Sequence, residues 1–266
     1  MRNAVCHVRK DGSRGFKKGL LPLLLQHIAS GQGQVALNGG EKMASLTGTT
    51  SAQHAGLAFE TELWQAGFCR VAGADEAGRG AWAGPVVAAA VILPPDVGAL
   101  AALLGQVNDS KKLSPLARER VFGCIEAGAL TVGVGSASAE EIDRFGIAPA
   151  NRLALERAVL GLAVSPDFLL LDFFTLPGLA LPQRGMPHGD ALSLSIAAAS
   201  IIVEVTRDRW MAAQDAIYPG YSFVRHKGYG TAAHRDALDR LGPCAIHRHS
   251  FAPIVQCQLF SRSGQA

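Results

Sequence analysis

The sequence has no apolar run of the roughly 18 residues that a membrane-spanning helix needs, and none of its five cysteines forms a CxxC pair. The first absence argues against a transmembrane helix, and the second argues against a zinc ribbon. The cysteines are scattered and odd in number, which also argues against a disulfide framework and favours a reducing compartment. We therefore expect a cytoplasmic protein without a membrane partner.

Charged residues are also few, at 18% of the 266 residues, whereas hydrophobic residues make up 48%. Such a composition is typical of a globular chain with a large core and not of a disordered chain. The formal net charge is +3, which does not by itself indicate nucleic-acid binding. Nothing in the sequence demands an oligomer, so we expect a monomer.

The first 51 residues differ in composition from the rest of the chain. Residues 31–52 are rich in Gly, Ser and Thr, as linkers are, and they contain Met43. We expect residues 1–51 to be a disordered extension or the product of translation begun upstream of the true start. The folded part of the chain would then begin at residue 52.

Strand and helix patterns alternate along the remaining chain. Two apolar segments, 69–77 and 84–95, are joined by a short Gly-containing loop and predict an antiparallel hairpin. Further strand patterns lie at 130–138, at 166–174 and, as a possible short strand, within 176–190. Helix patterns lie at 52–68, after the N-cap Ser114 and Pro115, and at 139–145, 150–162, 193–217 and 231–240. Together they predict an α/β sandwich with a mixed sheet, followed by a small basic and aromatic C-terminal part.

Four acidic residues stand where a predicted strand ends or a helix begins: Asp75, Glu76, Asp172 and Asp190. Ligand sites of α/β sheets gather at strand ends, so we expect these carboxylates to meet. Asp75 and Glu76 would share a site only if the strand bends, which neighbouring glycines permit, because successive side chains point to opposite faces. Clustered carboxylates favour Mg²⁺ or Mn²⁺ over zinc. An acid at a strand end is also a common turn residue, and Asp190 is equally suited to cap the next helix.

The segment Gly78-Arg79-Gly80 follows the first two acids. Its spacing is not that of the dinucleotide-binding GxGxxG motif, and a strand rather than a helix comes next. The glycines expose backbone groups to a close ligand, and Arg79 is suited to hold a phosphate. Basic and aromatic residues that alternate within 218–229 suit a sugar-phosphate chain, although a solvated surface also explains them. Cys244, His247 and His249 lack a fourth ligand for zinc.

Several long blocks together resemble bacterial ribonuclease HII, a type 2 ribonuclease H: ADEAGRGAWAGPVVAAAVIL, NDSKKLS, SIAAASIIVEVTRDRWM, YPGYSFVRHKGYGTAAH and LGPCAIHRHSFAP. The resemblance covers residues 55–256. It implies a ribonuclease-H-like mixed sheet flanked by helices, with the catalytic domain at residues 52–217. A small helical subdomain at residues 218–266 would help to bind the substrate.

The resemblance also implies an activity: hydrolysis of the RNA strand of RNA–DNA hybrids and cutting 5′ of ribonucleotides embedded in duplex DNA. The products would carry 3′-hydroxyl and 5′-phosphate ends. The catalytic, metal-binding residues would be Asp75, Glu76, Asp172 and Asp190, with Mn²⁺ or Mg²⁺ as the cofactor. Gly78-Arg79-Gly80 would contact the ribose 2′-hydroxyl, and Tyr229 would pack on the neighbouring deoxyribose. Other residues would flank the substrate, namely Lys227, Asp109, Ser110 and Lys111.

Two residues depart from the family pattern. Phe173 follows Asp172 where the family usually has glycine, and Glu204 replaces a basic residue of the helix motif. Two alternatives stay open, and the departures motivate the second of them. One is an acid-dependent nuclease or strand transferase of the same broad fold that ignores the 2′-hydroxyl, and cleavage of all-DNA duplex would favour it. The other is a hybrid-binding protein with a decayed site, which would bind tightly without cutting.

Overall fold

The computed structural model of the chain describes residues 55–107 and 113–263. The expected extension 1–51 and the predicted substrate residues Asp109, Ser110 and Lys111 lie outside the described residues. Five strands form one sheet: β1 Val71–Ala77, β2 Val86–Ile92, β3 Thr131–Ala137, β4 Phe168–Asp172 and β5 Gln183–Met186. Their order is β3-β2-β1-β4-β5. The first three are antiparallel neighbours, whereas β4 runs parallel to β1 and β5. The predicted mixed sheet and hairpin are confirmed.

The described residues form nine helices: α1 Ala58–Gln65, α2 Val97–Leu104, α3 Pro115–Gly128, α4 Ala139–Phe145, α5 Ile147–Leu160, α6 Leu194–Ile217, α7 Phe223–His226, α8 Ala232–Leu241 and α9 Ala252–Ser263. Ser114 caps α3 as predicted, because its side chain accepts a hydrogen bond from the N–H of Ala117. Helices α2, α7 and α9 were not predicted from the sequence. The predicted start of α5 is three residues too late, because Ile147 already begins the helix after the turn at Gly146.

Helices cover both faces of the sheet. On one face α6 packs against β1 and β2, with α3 beside it, and on the other face α5 packs against β2 and β3. Every residue of β2 is buried, which explains its continuous apolar sequence. Gly73 of β1 has no side chain because α6 crosses there: a Cβ would lie 2.2 Å from the carbonyl carbon of Ser195.

The loop between β1 and β2 is bonded to the C-terminal part of the chain. The N–H of Trp82 donates to the carbonyl of Gly228 at 2.8 Å. The N–H of Gly84 donates to the carbonyl of Ile246, also at 2.8 Å. In return, the N–H of Arg248 donates to the carbonyl of Trp82 at 2.8 Å. These bonds place the Gly78–Gly80 segment between the sheet and residues 226–248.

Two expectations drawn from absences can be compared with the structure. No helix among the described residues is long and apolar enough to cross a membrane. Cys124, Cys244 and Cys257 carry free thiols, whereas Cys69 is disulfide-bonded. The expectations of no disulfide framework and of a reducing compartment stay predictions.

Candidate active site

Asp75 and Glu76 lie in the regular part of β1 and point to opposite faces of the sheet. Their pairing with Ala89 and Ala88 is unbroken, so the predicted bend is absent. The Ser200 side chain on α6 hydrogen-bonds to the Asp75 carboxylate. On the other face, the side chain of Asn151, on α5, hydrogen-bonds to Glu76. The two acids therefore do not share one face of the sheet.

Asp172 stands beside Asp75 at the same edge of the sheet. It ends β4, which is parallel to β1 with Leu171 opposite Ala74, so the next residues of both strands are neighbours. The Asp172 charge raises the pKa of Asp75 and also that of Glu76. The structure thus brings three of the four predicted acids into one electrostatic group.

Asp190 is held near Asp172 by a hydrogen bond from the backbone of the preceding residue. The N–H of Gly189 donates to Asp172 Oδ1 at 2.8 Å, and Asp190 is the next residue in the short 3-10 turn Gly189–Ala191. Asp190 does not cap α6. Ser193 does so, because its side chain accepts a hydrogen bond from the N–H of Ile196. The capping alternative for Asp190 is therefore wrong.

Burial makes the first two carboxylates costly to ionise. It raises the pKa of Asp75 to about 8, and the neighbouring charges of Glu76 and Asp172 add to this effect. Burial also raises the pKa of Glu76, while the Arg79 guanidinium opposes the rise. A cation at this edge of the sheet would offset both penalties.

A hard divalent cation fits the chemistry of the donors, which are all oxygen atoms. In addition, Asn151 Oδ1 is buried beside Glu76 without a hydrogen-bond partner, which leaves one more oxygen for a bound ion or its water. Among the described residues, however, no three His, Cys, Asp or Glu side chains are already grouped to hold a metal. The same finding leaves the zinc alternative at Cys244, His247 and His249 unsupported.

Arg79 lies between the carboxylates and an aromatic ring. Its Nη1 is 3.5 Å from Glu76 Oε1, and its Cζ is 4.8 Å from the centre of the Phe174 ring. Phe173, in the position where the family usually has glycine, adopts a left-handed backbone with φ 69°. Its side chain is 66% exposed, so it does not fill the space around Asp172.

Gly78, Lys227 and Tyr229 meet around Arg207, whose role was not predicted from the sequence. A Cβ on Gly78 would lie 2.1 Å from Arg207 Nε, and the Arg207 Cζ lies 5.2 Å from the centre of the Tyr229 ring. Arg207 Nη2 donates to the carbonyl of Lys227 at 2.9 Å, while Lys227 Nζ is 3.8 Å from Asp208 Oδ2. Two predicted substrate-binding segments therefore share one buried arginine.

Other supporting residues were also missed, namely Ser200, Asn151 and Arg248. Ser200 lies in the run of small residues AAAS, which indicates only close helix packing. Asn151 gives a better signal, because a polar residue on the buried face of a helix needs a partner. It is only 2% exposed. Arg248 gives no such signal, because it stands among other basic residues in a loop, yet it is fully buried.

Comparison with known proteins agrees with this geometry. The family model for ribonuclease HII matches residues 72–254, which is more than half of the chain. The chain belongs to the ribonuclease HII family. A ribonuclease HII of Chloroflexus aurantiacus is 53% identical over 203 residues, which are 76% of this chain and 96% of that relative.

Solved structures share the fold of this ribonuclease HII family member. The ribonuclease H2 of Pyrococcus horikoshii has a TM-score of 0.62 and 23% identity, and the match covers 73% of this chain and 99% of that one. Bst-RNase HIII in complex with Mn²⁺ has a TM-score of 0.57 and 21% identity, over 81% and 77% of the two chains. The predicted ribonuclease-H-like fold is thus confirmed.

Membership of the ribonuclease HII family also defines the activity. The chain is an endoribonuclease of the ribonuclease H class, which hydrolyses the RNA strand of RNA–DNA hybrids. This confirms the activity that the sequence motifs implied. The family relationship therefore favours this activity over both a DNA-directed nuclease and a binding protein with a decayed site.

Proposed function

We propose that Asp75, Glu76, Asp172 and Asp190 form the catalytic centre, and that the enzyme also cuts 5′ of single ribonucleotides embedded in duplex DNA. The products would be 3′-hydroxyl and 5′-phosphate ends. One observation carries this proposal: Asp172 ends β4 beside Asp75 of the parallel strand β1, both acids interact electrostatically with Glu76, and the Gly78–Gly80 turn follows β1.

The four acids would hold Mg²⁺ or Mn²⁺. When bound, divalent ions at such a site lower the pKa of the attacking water and stabilise the leaving 3′-oxygen. Ser200 and Asn151 orient the Asp75 and Glu76 carboxylates through their hydrogen bonds. Arg79, 3.5 Å from Glu76, would turn to a backbone phosphate when substrate arrives.

The substrate would lie along Gly78-Arg79-Gly80, whose backbone groups would contact the 2′-hydroxyl, the group that distinguishes RNA from DNA. The Tyr229 ring is 38% exposed and supported from one side by Arg207, so it would pack on the next deoxyribose. Lys227 would contact the backbone nearby. For Asp109, Ser110 and Lys111, only the family resemblance supports a place beside the substrate.

A labelled DNA duplex with one ribonucleotide tests this function. We expect a cut on the 5′ side of the ribonucleotide with Mg²⁺ or Mn²⁺, no cut with EDTA, and an intact all-DNA duplex alongside. If only long RNA–DNA hybrids are cut, the role of Gly78-Arg79-Gly80 at a single ribonucleotide is wrong. Equal cutting of the all-DNA duplex would instead favour the DNA-directed alternative.

Asp75→Asn tests the catalytic centre. The uncharged amide avoids the burial penalty of the carboxylate, so the variant should fold and bind hybrid normally. Cleavage should fall by about 100-fold or more, as when one charged group of a catalytic site is removed. Asp236→Asn, at an exposed position on α8, is the matched control and should cut normally. Near-normal cleavage by Asp75→Asn would exclude Asp75 from the mechanism.

Three further expectations stay proposals. They are the division into a catalytic domain at residues 52–217 and a substrate-binding subdomain at residues 218–266, the monomeric state, and the cytoplasmic location. Nothing described requires a second copy of the chain. Light scattering of the purified full chain would test the monomeric state.

A further inference from the structure

Two arginines are almost completely buried. Arg207 is 1% exposed and Arg248 is 0% exposed. Within the described part of the chain, neither has a carboxylate oxygen within 4 Å. A buried cation without an anion costs considerable free energy unless other groups satisfy its donors. Such a cost suggests that each guanidinium fixes the groups around it in a position that the fold or the site requires.

Arg248 is satisfied by backbone carbonyls of the loop that follows β1. Its Nη2 donates to the carbonyl of Gly78 at 2.6 Å, and its Nη1 donates to the carbonyl of Arg79 at 2.7 Å. Its Nε donates to the carbonyl of Gly84 at 3.0 Å. The fork of one guanidinium therefore fixes two consecutive peptide groups at the centre of the Gly78-Arg79-Gly80 segment.

These bonds decide which way the opposite sides of the same peptides point. The chain has no cis peptide bond among its described residues. In a trans peptide the C=O and the following N–H point in opposite directions. Because the carbonyls of Gly78 and Arg79 point inward to Arg248, the N–H groups of Arg79 and Gly80 point away from it.

These two N–H groups are available to a ligand. Neither appears as a donor in any hydrogen bond of the described residues. A Cβ on Gly80 would meet no atom within 4 Å, so open space lies beside it. On the inner side, Arg248 itself is held, because its own N–H donates to the carbonyl of Trp82 at 2.8 Å.

We propose that Arg248 is a positioning residue that aims the N–H groups of Arg79 and Gly80 at the ribose, and so sets the preference for a ribonucleotide over a deoxyribonucleotide. This inference rests on the proposed function of the Gly78-Arg79-Gly80 segment. Burial lowers the pKa of Arg248 to about 9, which leaves the guanidinium charged at neutral pH. Lysine would keep a charge but could not bond both carbonyls in the fork geometry.

The test separates recognition from chemistry by using the Asp75→Asn background. Fluorescence anisotropy would give the Kd for a duplex with one ribonucleotide and for the same duplex made only of DNA. We expect Arg248→Lys to lower the ratio of the two Kd values by about fivefold, as for one weakened hydrogen bond. The Kd for all-DNA duplex should change little.

Leu238→Ala controls for a general loss of stability. Leu238 is 2% exposed in the same C-terminal cluster as Tyr221 and Phe223, so its truncation destabilises this part of the chain. It should leave the Kd ratio unchanged. Arg248→Gly with added guanidinium ion supplies a second test, because the free ion should restore part of the ratio.

The outcomes distinguish the inference from the function on which it rests. If the parent Asp75→Asn protein shows no preference for the ribonucleotide, the proposed function fails first. If the parent discriminates and folded Arg248→Lys discriminates equally, the inference alone is overturned. If Arg248→Lys fails to fold, amide NMR of the parent protein tests the inference instead. The duplex with one ribonucleotide should then shift the Arg79 and Gly80 amide signals more than the all-DNA duplex does. Equal shifts would overturn the inference.

Discussion

At the scale of single residues, neutral side chains orient the acidic side chains of the site by hydrogen bonds. Asp75 receives a hydrogen bond from Ser200, and Glu76 receives one from Asn151, each from a helix on a different face. Neither partner can neutralise a carboxylate, and burial still raises both pKa values. The arrangement therefore orients the acids while leaving their charge to be balanced by a bound cation.

Phe173 carries backbone strain beside Asp172. Its φ of 69° lies in the left-handed region, which costs an L-residue about 1–2 kcal/mol and costs glycine almost nothing. We expect Phe173→Gly to have a free energy of unfolding about 1 kcal/mol higher than that of Phe173→Ala. Both variants lose the ring, so their difference isolates the backbone. Urea denaturation measures it.

The sign of the difference in free energy of unfolding between Phe173→Gly and Phe173→Ala decides whether the backbone is strained. In a regular helix or strand, glycine is less stable than alanine by about 0.5–1 kcal/mol. If Phe173→Ala is the more stable variant, then this backbone is not strained at residue 173. The 66% exposure of the Phe173 side chain makes the comparison clean, because little buried surface is lost in either variant.

At the scale of helices and strands, local patterns predicted those elements whose sequence carries a clear signal. The hairpin β1–β2 followed from two apolar runs around a short glycine loop, and the start of α3 followed from Ser114 and Pro115. Helix α2 was missed because its sequence VGALAALL is apolar on all sides and follows two prolines. Tertiary packing against α3, and not periodicity, gives it a place.

The site could be predicted only in part for the same reason. Strand ends predicted Asp75, Glu76 and Asp172, because position along a strand is a local property. The contribution of Arg248 depends on a carbonyl 170 positions away in the chain, at Gly78. No pattern within a short window of sequence can indicate such a contact. The bend that neighbouring glycines would permit in β1 is absent, and Gly73 serves the close approach of α6 instead.

The close approach of α6 to β1 gives a prediction about Gly73. A Cβ there would lie 2.2 Å from the Ser195 carbonyl carbon and 2.3 Å from the Ile196 nitrogen, and neither backbone atom can rotate away. We expect Gly73→Ala to lower the free energy of unfolding by about 3 kcal/mol, the upper part of the usual range for overpacking. Chemical denaturation would measure the loss.

Gly123 offers the matched control within α3. A Cβ there would meet nothing within 4 Å, and the residue is helical. Gly123→Ala should therefore raise the free energy of unfolding by about 0.5–1 kcal/mol. If both substitutions have the same small effect, the contact between α6 and β1 adapts more easily than the structure indicates.

At the scale of the whole molecule, a buried histidine pair, His234 of α8 and His247, links the C-terminal part of the chain to the backbone of Tyr229. The N–H of Cys244 donates to His247 Nδ1 at 2.9 Å, so the proton of His247 is on Nε2. That N–H donates to His234 Nε2 at 3.0 Å, and His234 Nδ1 donates to the carbonyl of Tyr229 at 3.0 Å. The chain of bonds is complete only when both rings are neutral.

This network makes stability depend on pH. Burial lowers the pKa values of His234 and His247 to about 4, from the ordinary value of 6.5, and the nearby His226 ring adds to the effect on both, as His234 and His249 add to it on His247. As the pH falls from about 6.5 to about 4, the unfolded chain takes up protons that the folded pair refuses, so stability is lost. Asp75 acts in the opposite direction, because its raised pKa favours the folded state as the pH falls through about 8.

A comparison of variants isolates the histidine contribution. His247→Gln should be less stable than the parent at pH 7.5, because the hydrogen-bond chain is broken. Between pH 6.5 and pH 4 its free energy of unfolding should fall less steeply than that of the parent, since one titrating ring is gone. Asp75 is present in both proteins and cancels. His188→Asn, at an exposed position outside this network, should keep the parent slope. Denaturation curves in EDTA at several pH values give these slopes, and parallel slopes for His247→Gln and the parent would show that the pair is not held neutral.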